Sequence, residues 1–159
     1  MHLVLDSTGL QLFGQGEWNA QRHGRARRQW SKLHLAVDAG NGEIAAHVLT
    51  DSNCDDAAQA PDLLRQVEGT IASLAADGAY DSDAVYRAAS TRQLGPPPDV
   101  VVPPRASAVA STDDPAARTP RDRHIQLIAQ RGRMAWQRTT GYGRRNLVEM
   151  VCMQTTSSA

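Results

Sequence analysis

Cysteine is scarce in this 159-residue chain: Cys54 and Cys152 stand far apart, and no CxxC pair occurs. None of the five histidines (His2, His23, His34, His47, His124) lies at a zinc-ligand spacing from them, which sets a structural zinc site aside. Such cysteine usage fits a reducing, cytoplasmic compartment. Long apolar runs are missing as well. No stretch approaches the roughly 18 apolar residues of a membrane span, and residues 1–12 lack a basic start followed by a long apolar stretch. Membrane and secretion readings therefore fall away. Lysine is almost absent, Lys32 being the only one among 17 basic residues, a bias that genome composition explains as readily as phosphate chemistry. What remains, 41% hydrophobic and 21% charged residues, is the composition of one soluble domain with one modest core.

Net charge is zero, but the average hides a separation along the chain. Residues 22–32 hold five basic residues (Arg22, Arg25, Arg27, Arg28, Lys32) and no acid, whereas residues 38–83 hold ten acids against Arg65 alone. Residues 118–145 then carry eight arginines against Asp122. Two basic blocks flank an acidic middle. Such blocks are most often solvated surface; a polyanion site is the sharper alternative.

Short apolar runs at residues 2–5 and 32–37 predict two strands, the first ending on Asp6-Ser7-Thr8-Gly9 and the second at Asn41-Gly42. The Asn-Gly pair suits a tight reversal, so residues 43–49 should return antiparallel as a third strand. Residues 55–67 place Ala58, Leu63, Leu64 and Val67 near helical spacing, with Pro61 tolerable only close to the helix start. Residues 71–76 predict a fourth strand closed by Asp77-Gly78, and Ser82 can cap a helix that buries Val85, Tyr86 and Ala89. Prolines on both sides of residues 99–102 assign a fifth strand to a sheet edge. A mobile loop is expected at about 105–118. Thr119-Pro120-Arg121-Asp122 resembles a capping box opening a helix over 120–137, and Gly141 separates it from a last helix over 142–151. The order β-β-β-α-β-α-β-α-α outlines a ribonuclease H-like α/β domain, a mixed five-stranded sheet with helices on its faces, without excluding other α/β folds.

Asp6 and Asp77 each follow an apolar strand, where an acid either caps a turn or binds a cation. Ligands of open α/β sheets collect at the carboxyl ends of strands, which keeps the metal reading open for the pair. Tyr142, Arg145 and Glu149 are spaced by three and four, so a helix would set them on one stripe. Arg145 and Glu149 could simply pair across a turn. Alternatively, Glu149 joins the two aspartates, and three hard oxygen ligands would suit Mg²⁺.

Several segments resemble the DDE transposases of bacterial insertion sequences, most closely the insertion sequence five family. They are Leu3-Val4-Leu5-Asp6-Ser7-Thr8-Gly9, Gly16-Glu17-Trp18, Trp30 with the run from Lys32 to Asp38, Ala76-Asp77-Gly78-Ala79-Tyr80-Asp81, and Tyr142-Gly143-Arg144-Arg145-Asn146-Leu147-Val148-Glu149. The Tyr-x2-Arg-x3-Glu signature is the most specific of them. The resemblance implies that Asp6, Asp77 and Glu149 form a catalytic, metal-binding triad using Mg²⁺, with Mn²⁺ as substitute. It also implies cleavage of element ends and transfer of the freed 3′-hydroxyl to target DNA with no covalent enzyme intermediate. DNA contacts are then expected from Arg22, Arg25, Arg27, Arg28, Lys32, Tyr142, Arg144 and Arg145. The partners would be insertion-sequence ends, target DNA, and further copies of the chain or a full-length transposase. Two departures stand beside the match: Thr156 occupies the place of the family's lysine seven residues after the glutamate, and no helix-turn-helix region precedes Asp6. The expectation is a catalytic domain over 1–152 with a divergent tail over 153–159, truncated at both ends. It would be a remnant or one frame of a two-frame element. The competing readings are a non-catalytic DNA-binding remnant or interaction module, and a ribonuclease H-like nuclease.

Overall fold

The computed structural model describes residues 1–11, 30–92 and 95–145, the side chains of Arg144 and Arg145 excepted. Among these residues one mixed sheet runs in the order β3-β2-β1-β4-β5. Its strands are β1 (His2–Gln11), β2 (Trp30–Asp38), β3 (Ile44–Asp51), β4 (Ser73–Ala75) and β5 (Asp99–Val101). The helices are α1 (Asp56–Gln66), α2 (Asp83–Ser90) and α3 (Pro120–Thr140). β1, β2 and β3 pair antiparallel, while β1 with β4 and β4 with β5 pair in parallel. This is the α/β architecture expected of a ribonuclease H-like domain, with β5 at the edge its prolines demand.

β1 is longer than its apolar run. Asp6-Ser7-Thr8-Gly9 continues the strand to Gln11, because an unbroken antiparallel ladder with β2, from Leu3↔Asp38 to Gln11↔Trp30, outweighs the turn preference of these residues. The β2–β3 reversal uses Gly42 at φ 77°, with its N–H on the Asp38 carbonyl at 2.8 Å.

The core lies between one sheet face and the α1–α2 pair. Leu3, Leu5, Leu74 and Ala76 point into it, meeting Ala57, Ala60, Leu63 and Leu64 from α1 and Val85 and Ala89 from α2. The apolar stripe of α1 is rotated from the expected one: Ala58 is exposed, and Ala57 and Ala60 are buried instead. Pro61 falls in the helix interior, not near its start. It removes one backbone bond to the Ala57 carbonyl, a loss offset by the four buried side chains around it. Ser82 takes the cap position of α2, although its hydroxyl makes no capping bond.

α3 opens with the predicted capping box, Thr119 and Asp122 bonding each other's backbone N–H, and closes on Gly141 in the left-handed conformation. It is not one straight helix. Gly132, at φ 78° and ψ 163°, breaks it into halves over 120–131 and 133–140. After Gly141 the chain makes a short 3₁₀ turn, Tyr142–Arg145, where a longer helix was expected; residues 146–151 of that expectation lie outside the described residues.

Candidate functional site

Asp6 is in the middle of β1, not at its exit, yet it stands where the parallel ladder with β4 ends. That ladder pairs Leu3↔Leu74 and Val4↔Ala75. Two residues further along each chain come Asp6 and Asp77, each just past the last pair of that ladder. Their face follows from alternation. Leu5 and Ala76 enter the α1–α2 core while Val4 and Ala75 belong to the opposite face, and Asp77 keeps extended backbone at φ −80° and ψ 178°. Both carboxylates therefore share the face of Val4 and Ala75.

Each aspartate also holds local backbone. Asp6 Oδ1 accepts the Ser7 N–H at 2.9 Å, and Asp77 Oδ1 accepts the Ala79 N–H at 2.8 Å, capping the 3₁₀ turn Gly78–Tyr80. The turn-cap role is thus real for Asp77. It does not compete with cation binding, since a carboxylate has several acceptor sites.

The turn after Asp77 is fastened on three sides. Tyr80 is buried beneath it. The Arg105 guanidinium donates to the carbonyls of Gly78 at 3.2 Å and Ala79 at 3.1 Å. Asp81, 5% exposed, accepts both Arg121 Nε at 2.6 Å and Nη2 at 3.0 Å, and the Arg105 N–H at 3.0 Å. The side-chain bond to Asp81 raises the Arg121 pKa further above its usual range. A bidentate buried pair of this kind has little angular freedom. Arg133, from the second half of α3, adds a bond to the Pro104 carbonyl at 3.0 Å. Arg105 and two arginines of the basic C-terminal block, Arg121 and Arg133, thus frame the end of the sheet where Asp77 lies.

Tyr142 lies toward the start of these strands, in a cleft whose lining includes neither Asp6 nor Asp77. It helps line this cleft of about 470 Å³ with Val4, Ala75, Ser73, Val101 and Arg138, and its ring rests on buried Trp136 at 5.1 Å between centroids. A larger groove, about 600 Å³ between α1 and α2, is floored by Pro61, Leu64 and Ala88 and opens on the opposite side of the sheet.

The structure thus places Asp6 and Asp77 just past the end of the β1–β4 ladder and Tyr142 in the cleft at its start. Glu149, Arg22, Arg25, Arg27 and Arg28 lie outside the described residues, as do the side chains of Arg144 and Arg145. Among the described residues no group of three or more His, Cys, Asp or Glu is gathered to hold a metal ion. Lys32 has an internal role: its ammonium bonds the Cys54 carbonyl at 2.9 Å and Asp56 at 3.2 Å, beside the first turn of α1. Asp81, Arg105, Arg121 and Arg133 did not stand out in the sequence. The one signal for them is Asp81 itself, an acid four residues after Asp77 in a turn that must be held.

No described helix is long and apolar enough to cross a membrane. No solved structure matches the chain. The transposase DDE domain family matches residues 1–158. The match spans nearly the whole sequence and includes both Asp6 and Asp77; the chain belongs to that family.

Proposed function

We propose that this domain carries out metal-dependent DNA strand cleavage and transfer in the transposition of an insertion sequence of the insertion sequence five kind. Asp6, Asp77 and Glu149 are its metal ligands in this reading. The observation that supports it is the β1–β4 register, in which Asp6 and Asp77 each follow the last ladder pair, Val4↔Ala75, by two residues. Two carboxylates there form a hard oxygen donor set suited to Mg²⁺ or Mn²⁺. When bound, such ions supply an activated water or hydroxyl nucleophile and stabilise the leaving oxygen of a phosphodiester. The chain's own part is placement. Backbone N–H groups of Ser7 and Ala79 fix one oxygen of each aspartate, and the Arg105 and Arg121 bonds hold the turn that presents Asp77. Arg22, Arg25, Arg27, Arg28, Arg144 and Arg145 neutralise phosphates in this reading, with Tyr142 near the scissile strand. Lys32, already bonded internally, contributes only its net charge. Insertion-sequence ends, target DNA and further transposase copies are the partners.

Thermal melting with and without Mn²⁺ tests this reading. A cation bound at 100 times its dissociation constant stabilises the folded state by about 2.7 kcal/mol, a shift of several degrees, and Asp6→Ala or Asp77→Ala should abolish it. Joining of pre-nicked element ends to a target duplex should be lost in the same two variants. An unchanged melting point for the parent at millimolar Mn²⁺, together with no joining, would leave a DNA-binding module without catalysis.

A further inference from the structure

The kink at Gly132 poses a mechanical problem, because a helix broken by a residue at φ 78° does not fix the direction of its second half. That second half ends at Thr140, two residues before Tyr142, the first residue of the Tyr-x2-Arg-x3-Glu stretch. One side-chain bond crosses the break: the Trp136 indole Nε1–H donates to His124 Nδ1 at 2.7 Å. An indole N–H only donates, so Nδ1 must be the acceptor and the imidazole proton resides on Nε2. Nε2 lies 3.1 Å from the Val100 carbonyl and donates to it. β5 is the sheet edge, so this imidazole also closes one of its outward carbonyls. On its other side the fully buried Trp136 ring packs on the Tyr142 ring, tilted by 46°. A continuous path runs from β5 through His124 and Trp136 to Tyr142.

We propose that His124 and Trp136 are positioning residues that use this path to set where Tyr142, the first residue of the signature stretch, lies. Neither touches DNA or metal; both act through Tyr142. The functional part of this inference rests on the transposase reading above, while the geometric part does not.

The test separates the two parts. Ring-proton NMR shifts of Tyr142, 18 residues from His124 in sequence, report whether a change at His124 reaches it. In His124→Leu the Tyr142 resonances should move toward those of an unstacked tyrosine, and the Trp136 indole proton should lose its exchange protection. His124→Asn, whose amide oxygen stands near the place of Nδ1, should restore both. Should His124→Leu not fold, Trp136→Phe serves in its place, keeping an aromatic ring against Tyr142 while removing the donor. Strand joining should fall about 10- to 100-fold in the disrupted variants, the range for a reacting group displaced by about 1 Å, and recover in His124→Asn. Unshifted Tyr142 resonances in a cooperatively folded His124→Leu would overturn the proposal, as would failure of His124→Asn to restore them. Absence of joining in the parent counts against the transposase reading alone, and the ring shifts still decide the relay.

Discussion

The α1–α2 pair and α3 meet the rest of the fold, each on its own contact surface, by different means. α1 and α2 cover theirs with aliphatic side chains, Ala57, Ala60, Leu63, Leu64, Val85 and Ala89, laid against Leu3, Leu5 and Leu74. α3, though 21 residues long, buries only Asp122 and Trp136. It is held by directed bonds instead: Arg121 to Asp81, Asp122 to Ser111 and Thr119, and Trp136 to His124. Apolar contacts are non-directional and tolerate small shifts, whereas bidentate and buried hydrogen bonds have a narrow optimum. One layer therefore supplies stability and the other supplies position, and the directed bonds of the second hold the turn that Asp77 caps.

The largest effect should come from cutting the strongest of these bonds. Arg121→Ala leaves Asp81 buried without its cation and should cost about 3–5 kcal/mol in chemical denaturation. Leu63→Ala, fully buried in the other layer, should cost about 3 kcal/mol by leaving a cavity. The two losses differ in kind. Replacing both partners, Asp81→Leu with Arg121→Met, should recover most of the first, since the penalty belongs to the stranded charge. A double variant as unstable as the single one would mean that Arg121 acts by packing, and the contrast between the layers would fail.

Asp122→Ala comes next, at about 2 kcal/mol. Asp122 accepts the Ser111 N–H and hydroxyl at 2.7 Å each, together with the Thr119 N–H and hydroxyl at 3.0 and 2.8 Å. The substitution removes a helix cap and untethers the loop before α3. Burial opposes ionisation here, but the Ser111 and Thr119 bonds outweigh it and hold the carboxyl well below the usual carboxylate range. Its contribution is therefore present at neutral pH and is lost only as pH falls below about 4 toward that lowered value. Proteolysis at residues 105–118 should speed up in Asp122→Ala and not in Leu63→Ala. Equal rates would show that the tether does not govern the loop.

The same division explains what the sequence could reveal. The aliphatic layer is periodic, and its strands, the antiparallel hairpin, and the buried Val85, Tyr86 and Ala89 follow from spacing alone. The capping region from Ser111 to Asp122 is half legible: Thr119, Pro120 and Asp122 announce the cap, but nothing marks Ser111 as the second partner. Asp81 and Arg121 are 40 residues apart, and the choice of this arginine among eight in the basic block depends on the path of the chain between them. The β1 boundary was hidden for a related reason. A strand partner across the sheet, not local preference, carries it through Asp6-Ser7-Thr8-Gly9. Asp6 and Asp77 could be singled out as acids after apolar runs, but only the register shows that each lies two residues past the same ladder pair.

A smaller effect than either substitution should appear on mild acidification, with one histidine reporting on each layer. Burial lowers the pKa of His34, beneath α1, against the attraction of Asp56 and with some help from Lys32. Burial also lowers that of His124, where the Val100 carbonyl, Asp99 and Asp81 pull the other way and Arg123 adds to the lowering. Both are kept neutral in the folded state, so the unfolded chain binds protons first. The stability they contribute is full above the unfolded value near 6.5 and is lost as pH falls below it. Melting temperature should decline between about pH 7 and pH 5, and His124→Asn should remove the part of the decline belonging to the α3 layer. A profile identical in parent and variant would assign the whole effect to His34.

The smallest expected change is at the seam between the layers, where Tyr86 of α2 approaches the Asp81–Arg121 pair. Its hydroxyl is buried with no hydrogen-bond partner among the described residues. Burial, then the Asp81 charge, pushes its pKa well above the ordinary tyrosine value, so it stays neutral throughout the working pH range. A buried hydroxyl without a partner forfeits its hydration and returns nothing. Tyr86→Phe keeps the ring against Val85 and Ala89 and removes only that oxygen, so stability should be unchanged or rise by up to about 1 kcal/mol. This is the opposite sign from every substitution in the polar layer. A loss of more than about 1 kcal/mol would show that the hydroxyl serves the Asp81 network, and that the directed bonding of the α3 side reaches across the seam into the aliphatic one.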